Sequence, residues 1–587
     1  MISPFVPIRS AIVGLLPWLA TAACIAAPVK LFDEAPVKIS QPSPGLHLID
    51  FGRVSFANLR LIAPPGADSE ITVHFGEASK QGRVDRKPPG SVRYAQAKLT
   101  LKGGTTAIAA PPADKRNTQQ PAAILTPKEW GVVLPFRWVE IEGWSGELKP
   151  EQIIRQSAFA STWDDNAASF KSSDPLLDRI WELCRYSIKA TTFAGVYVDG
   201  DRERIPYEAD AYLNQLSHYA CDPDVQMTRD TYDRLMTHPT WPTEWASHMI
   251  FMAHADWMQT GDITWVGERY EKLKTKLLLQ RTRADGLVVS NQKQIKRDDI
   301  VDWPTGERDG YVFKPVNTVV NAFHIRTLAM MSELATALGK KEDAAEYKRL
   351  ENAALASFNK ILLMPERGAY RDGEGTDHTA QHASLFPLAF GLVPAEHRAA
   401  VTKFTASRGM ACSVYAAQYL LEALFENGAD AKAMELIIAP NDRSWKHMVE
   451  SGTTITWEAW DQKYKPNQDW NHAWGAAPAN LFPRYVIGAR PLTPGWKTVL
   501  IRPFPTNLQF AEGKIPSPRG PIYVKWENIG MFQLSTQLPD GVSARIELPA
   551  SPSSKGVTQS GKAIPAKREG SRWVIENFSG AATFEVR

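Results

Sequence analysis

The hydrophobic period of this chain changes twice, and those two changes constrain its fold more than any other feature. Between about residues 30 and 160 apolar and polar residues alternate, Ile71, Val73 and Phe75 with Thr72 and His74, and Val139 and Ile141 around Glu140. A period of two predicts strands with one buried face, and Pro64-Pro65-Gly66 and Gly103-Gly104 supply turns between them. At Ser173-Asp174-Pro175 the period lengthens. Asp174 can cap a helix, Pro175 suits its first position, and Leu177, Ile180, Trp181, Cys184 and Ile188 follow at steps of three and four. Leu328, Met331, Leu334 and Leu338, ending at Gly339, and then Glu342 to Leu363 continue that pattern. After Arg490-Pro491 the period of two returns at Ile522, Val524 and Trp526, with Phe532 and Leu534 beyond the Ile529-Gly530 turn. The pattern predicts a multidomain chain, an all-α domain flanked by N-terminal and C-terminal β-sandwich domains. Residues 105–127, rich in Ala, Pro, Thr and Gln, read as an exposed insertion.

At 587 residues the chain is too long for one hydrophobic core. The expected division is a leader at 1–27, a sandwich at 28–165, the helical domain at 170–488 and a second sandwich at 489–587. With 67 Lys and Arg against 64 Asp and Glu, net charge gives no reason to expect nucleic acid or an anionic membrane as partner. The leader has Arg9, an apolar run from Ala11 through Leu15, Leu16 and Leu19 to Ala23, and small residues Ala26 and Ala27, the pattern of a secretory signal. Export to the periplasm or beyond follows, with a lipoprotein site at Cys24 as the alternative. No later apolar run reaches the roughly 20 residues of a membrane helix. Cys184, Cys221 and Cys412 are too few and too scattered for a disulfide framework or a zinc site.

Two segments carry the chemistry. The first, Val198-Asp199-Gly200-Asp201-Arg202-Glu203-Arg204-Ile205-Pro206-Tyr207-Glu208-Ala209-Asp210, packs five carboxylates and two arginines after an apolar run from Phe193 to Val198. Gly200 and Pro206 suit a rigid loop, and crowded carboxylates cannot all ionise cheaply, so at least one should hold its proton. A solvated turn with paired charges is the plainer alternative. The second places Glu458 in Trp457-Glu458-Ala459-Trp460-Asp461, followed by Asp469-Trp470-Asn471-His472-Ala473-Trp474. Indole faces stack on pyranose C–H faces while carboxylates bind hydroxyls, so tryptophans beside acids suit a sugar site. The 19 tryptophans lean the same way.

Glu203 with Tyr207 four residues on and Asp210 seven on, and the distant Trp457-Glu458-Ala459-Trp460 followed by Asn471-His472, resemble the bacterial α-L-rhamnosidases of glycoside hydrolase family 78. The resemblance runs from Asp50-Phe51-Gly52-Arg53 through Asp302-Trp303 to Pro494-Gly495-Trp496-Lys497. It implies an (α/α)6 barrel of the six-hairpin type and a cofactor-free, inverting glycosidase acting on a rhamnose-containing glycoside or polysaccharide. It also implies Glu203 as general acid and Glu458 as general base, roughly 6.5 to 9.5 Å apart. Asp199, Arg202, Tyr207, Asp210, Trp245, Asp302, Trp303, Trp457, Trp460 and His472 are the implied sugar-binding set. This chain departs from the family pattern in three ways. Asp199 lies four residues before the acid rather than six, Arg202 one before rather than two, and Tyr207 stands where Trp is usual.

Other readings use the same residues. Another sugar specificity on the same barrel fits the shortened loop, since fold does not fix substrate. A non-catalytic sugar-binding protein would need only the aromatics, and a polysaccharide lyase would use the arginines rather than two glutamates. Glu208 is an additional acid in the loop, Glu307, Arg308 and Asp309 form a charged turn, and Asp372, His378 and His382 lack tight ligand spacing, so no metal is expected.

Overall fold

A computed structural model describes residues 29–66, 68–114 and 123–587. The leader and Cys24 lie outside the described residues. The N-terminal region is an eight-stranded antiparallel sheet organised by one seventeen-residue strand, Leu46–Ile62. That strand has four neighbours because its register breaks between Asp50 and Ser55. Its first half lies between Lys38–Ser43 and Leu134–Glu142, and its second half reaches Ile153–Ala160 and Thr106–Ala109. Ile49, Val73, Phe136, Val139 and Ile141 are fully buried in its core, as the alternation requires. Part of the expected exposed insertion is instead sheet, since Thr106–Ala109 pairs along the long strand and Ala109 and Ala123 are buried. Residues 115–122 of that segment lie outside the described residues. Its alanines are small enough to pack, and Ala-rich composition hides a short strand.

The first long helix, Pro175–Ala190, forms where the period changes. Asp174 accepts a hydrogen bond from the Leu176 N–H at 2.9 Å, a cap contributing about 1 kcal/mol. Leu177, Ile180, Trp181, Cys184 and Ile188 all face the core. Each such side chain contributes about 1.5–3 kcal/mol by leaving water. Thr318–Ala337 packs antiparallel-hairpin fashion on Lys341–Leu362, with Leu328, Met331 and Leu334 fully buried between helices. Helices continue to Pro478–Leu481, joined at one end by the long polar and aromatic segments that build the site.

The C-terminal region has a seven-stranded and a five-stranded sheet. Ile522, Val524, Trp526 and Leu534 of the first share a core with Val499, Ile501, Ala544, Ile546 and Leu548 of the second. The seven-stranded sheet also takes Ser169–Ser172, a strand that precedes the helices and pairs with Phe510–Ile515.

Candidate active site

The loop after Val198 closes on itself, with the Asp199 N–H donating to the Ile205 carbonyl at 3.0 Å and the Arg204 N–H to the Gly200 carbonyl at 3.2 Å. Gly200 adopts φ 149°, and a Cβ there would lie 2.6 Å from Asp469 Oδ2 and 3.1 Å from Asn471 Oδ1. Only glycine lets this loop abut the 458–474 segment so closely. Tyr207 ends the loop, and the helix Glu208–Cys221 carries Asp210 in its first turn.

These segments enclose a pocket lined by Asp199, Arg202, Glu203, Tyr207, Asp210, Trp245, Trp303, Glu458 and His472, together with Trp241, Ile300 and Trp474. Nine of the twelve sequence-derived site residues therefore meet in one cavity. Asp302, Trp457 and Trp460 lie outside its lining. Asp302 is fully buried and accepts hydrogen bonds from the Ser413 N–H at 2.9 Å and hydroxyl, beside His382 Nε2 at 2.7 Å. Trp457 stacks on Trp470, and Trp460 donates its indole N–H to the Cys412 carbonyl at 2.8 Å. Both tryptophans belong to the core beneath Glu458.

Glu203 and Glu458 occupy contrasting environments. The Glu203 side chain is 35% exposed and accepts a hydrogen bond from the Tyr207 hydroxyl at 2.7 Å. The Glu458 side chain is 2% exposed. Arg202 grips it through both guanidinium amino groups, at 2.8 and 3.1 Å, and Lys465 Nζ adds a contact at 3.3 Å. The same guanidinium passes its Nε within 3.7 Å of Glu203, so one planar cation stands between the two carboxylates. Burial and the neighbouring Asp469 carboxylate push the Glu458 pKa upward, outweighing His472, Arg202 and Lys465.

Asp199 is the loop carboxyl pushed furthest toward holding a proton. Burial first, then the charge of Glu203, lift its carboxyl well above the usual carboxylate range. One of its oxygens accepts from the Ile205 N–H at 3.1 Å, and Oδ2 makes no hydrogen bond within the protein. His472 stands between Asp210, 2.7 Å from Nε2, and Asp469, 3.3 Å from Nδ1. Burial disfavours its charge, but the two carboxylates prevail and hold the imidazolium well above the usual histidine range. Burial, with the charges of Asp199 and Glu203, raises the Tyr207 phenol and keeps it a donor.

The opposite wall is set by Glu244, which accepts from the Ile300 and Val301 N–H groups at 3.1 and 2.9 Å. Burial and the nearby Asp299 push this carboxyl up to about 7. Trp245 meets the Tyr207 ring edge-on at 5.6 Å, and the Lys465 ammonium lies 5.4 Å from the centre of the Trp303 ring. Trp241, at the rim, is 42% exposed. The sequence offered only an indole between Thr240 and Pro242 as a sign of it.

The other acids are committed elsewhere. Glu208 is buried with both oxygens on Thr240. Glu307 pairs with Arg443, Asp309 with Arg408, and Asp372 with His378. Among the described residues, two groups have ligand atoms close enough to hold a metal ion, Glu458 with Asp469 and His472, and His74 with Glu140 and Glu142. In the first, Glu458 faces two cations and His472 is itself cationic. In the second, Arg83 and Arg86 bind Glu140 at 2.5 and 2.6 Å. Both donor sets fit ion pairing better than a metal.

Acids, an arginine and indoles gathered in one pocket of the helical domain have the make-up of a sugar-cleaving site. The model of the bacterial α-L-rhamnosidase 6 hairpin glycosidase domain matches residues 165–486. The concanavalin-like and C-terminal domain models of the same enzymes match residues 40–159 and 488–563. The chain belongs to the bacterial α-L-rhamnosidase family.

An α-L-rhamnosidase of Alteromonas sp. (strain LOR) is 24% identical over 564 residues, covering 89% of this chain and 58% of that protein. The structure of an α-L-rhamnosidase from Dictyoglumus thermophilum superposes with a TM-score of 0.79 at 19% identity, over 96% of this chain and 64% of that one. That of the Streptomyces avermitilis α-L-rhamnosidase complexed with L-rhamnose gives 0.78 at 19% identity, over 96% and 54%. The chain thus spans less than two thirds of the length of each. The superpositions establish the shared fold, including the helical domain between sheets.

Proposed function

We propose that this protein is an inverting α-L-rhamnosidase that removes terminal α-L-rhamnose from a glycoside or polysaccharide, with Glu203 as general acid and Glu458 as general base. The observation that carries the reading is the unequal pair of carboxylates in one aromatic-walled pocket, separated by Arg202. Inversion needs a protonated carboxyl to give its proton to the leaving oxygen while a second carboxylate takes one from water attacking the opposite face of the anomeric carbon. Glu203, partly exposed toward the pocket, suits the first task. Arg202 and Lys465 orient the buried Glu458 carboxylate, which suits the second. Contacts of 3.7 and 2.8 Å to one guanidinium are compatible with the roughly 6.5–9.5 Å separation that leaves room for the water.

Asp199 Oδ2 is available to a sugar hydroxyl, and the indoles of Trp245, Trp303 and Trp241 offer faces for the ring and its aglycone. Both the relatives' names and the rhamnose in the Streptomyces avermitilis structure support rhamnose as the sugar. The leader-like residues 9–27 support export. The test is hydrolysis of an aryl α-L-rhamnoside, following the anomer first released by NMR, with Glu203→Gln and Glu458→Gln alongside. The reading expects β-rhamnose first and both variants nearly inactive. An α-anomer first would overturn inversion, and cleavage confined to other aryl glycosides would overturn the sugar.

A further inference from the structure

The two chemistry-bearing loops touch a third segment that neither sequence motif includes, residues 77–93 of the N-terminal sheet domain. Glu77 follows the strand Ser69–Gly76 and is buried against the helical domain. One of its oxygens accepts from the Arg93 N–H at 2.6 Å and the other from the Asn471 side-chain amide at 2.9 Å. Asn471 in turn accepts from the Asp201 N–H at 2.7 Å, two residues before Glu203. The Arg93 guanidinium reaches the same Asp201 through its carboxylate, which Arg204 also binds, at 2.9 Å.

The next contacts lead to Glu458. Ser91 donates its N–H to the Gln468 carbonyl and its hydroxyl to the Asn467 carbonyl, both at 3.0 Å. Gln468 accepts through its side chain from the Ala459 N–H at 3.0 Å, the residue after Glu458. The Asn467 carbonyl accepts from Arg202 at 3.2 Å. One short segment therefore holds the backbone on both sides of the site.

We propose that Glu77 and Arg93 are positioning residues that fix the Glu203 loop and the Glu458 loop against each other, so that the N-terminal sheet domain sets the geometry between acid and base. The proposal builds on the assignment of those two glutamates. Neither Glu77 nor Arg93 lines the pocket, so both act through Asp201 and Asn471. Displacement of a catalytic group by about 1 Å can cost on the order of a hundredfold in rate. Its signature here is specific, because a displaced acid matters most where the leaving group needs a proton.

The experiment compares Glu77→Ala and Arg93→Lys in the full chain, on methyl α-L-rhamnoside and on 2,4-dinitrophenyl α-L-rhamnoside, whose leaving group departs without protonation. On the methyl glycoside kcat should fall about tenfold or more with little change in KM; on the dinitrophenyl glycoside it should fall far less. An equal fall on both substrates, the result of lost active protein, or no fall at all, overturns the positioning role. Glu203→Gln is the control, and equal losses there overturn the acid assignment instead. Hydrogen exchange at the Asp201 amide gives a readout that needs no substrate. The Asp201 amide should exchange faster in Glu77→Ala; unchanged protection there overturns the proposal whichever sugar is cleaved.

Discussion

Glu203 and Glu458 are the same side chain in two surroundings, and the comparison bears on the different work proposed for each. Glu203 is partly exposed, with a phenol as its hydrogen-bond partner. Glu458 is buried, with a guanidinium and an ammonium against it. The first is open to the pocket. The second is buried and oriented by its two cations. Arg202 ties the two together, so the contrast is built into a single cation.

The largest expected effect separates them directly. Glu458→Gln should lose about 10³-fold or more in kcat on every rhamnoside, because no leaving group substitutes for the base that activates the attacking water. Glu203→Gln should lose as much on a methyl glycoside while retaining much of its rate on the dinitrophenyl glycoside. Parallel losses in steady-state kinetics would break the comparison.

Next is Arg202→Met. Removing one partner of a buried pair costs about 3–5 kcal/mol in general, and the remaining Lys465 should bring this site to the lower end. Urea denaturation would report the loss, and activity should fall with it. A variant as stable as the wild type would mean that Arg202 does not hold Glu458.

A smaller effect is expected with pH. Burial pushes the Glu77 carboxyl up to about 8, with Asp201 and Asp469 adding to the shift and the hydrogen bonds from Arg93 and Asn471 opposing it. Because the folded protein holds that proton more tightly than the unfolded chain, the stabilisation is complete below about pH 4.5 and is lost as pH rises through about 8. Wild-type Tm should therefore fall relative to that of Glu77→Gln between about pH 5 and pH 9. Parallel Tm profiles would show that Glu77 does not titrate there.

The smallest change is Tyr207→Phe, which deletes a hydroxyl that donates to Glu203. A several-fold drop in kcat is expected on the methyl glycoside, from loss of one hydrogen bond to a charged group. A change in KM alone would assign the hydroxyl to sugar binding instead.

How much of this was legible in the sequence depended on distance along the chain. Period marked the helix of Leu177 to Ile188 and the strand of Ile522 to Trp526, because burial on one face writes itself into local spacing. Glu203 and Glu458 stood out by their acidic and aromatic neighbours. Those same neighbours drew Trp457 and Trp460 into the expected sugar-binding set, yet the backbone turns both indoles into the core and leaves Glu458 facing the pocket. Nothing local singles out Trp241 or Ile300. Glu77 was invisible, since its partner Asn471 is 394 positions away.

The short strand Ser169–Ser172 carries a consequence for how the molecule is made. Its partner Lys514 follows Ser169 by 345 positions. On the ribosome the whole helical domain emerges while this strand still presents an unpaired edge. The chain must complete Phe510–Ile515 before that edge is closed, and any fragment ending with the helices leaves it open to pairing with another copy. The helical domain is thus held, topologically, inside a sheet that begins before it and is finished after it.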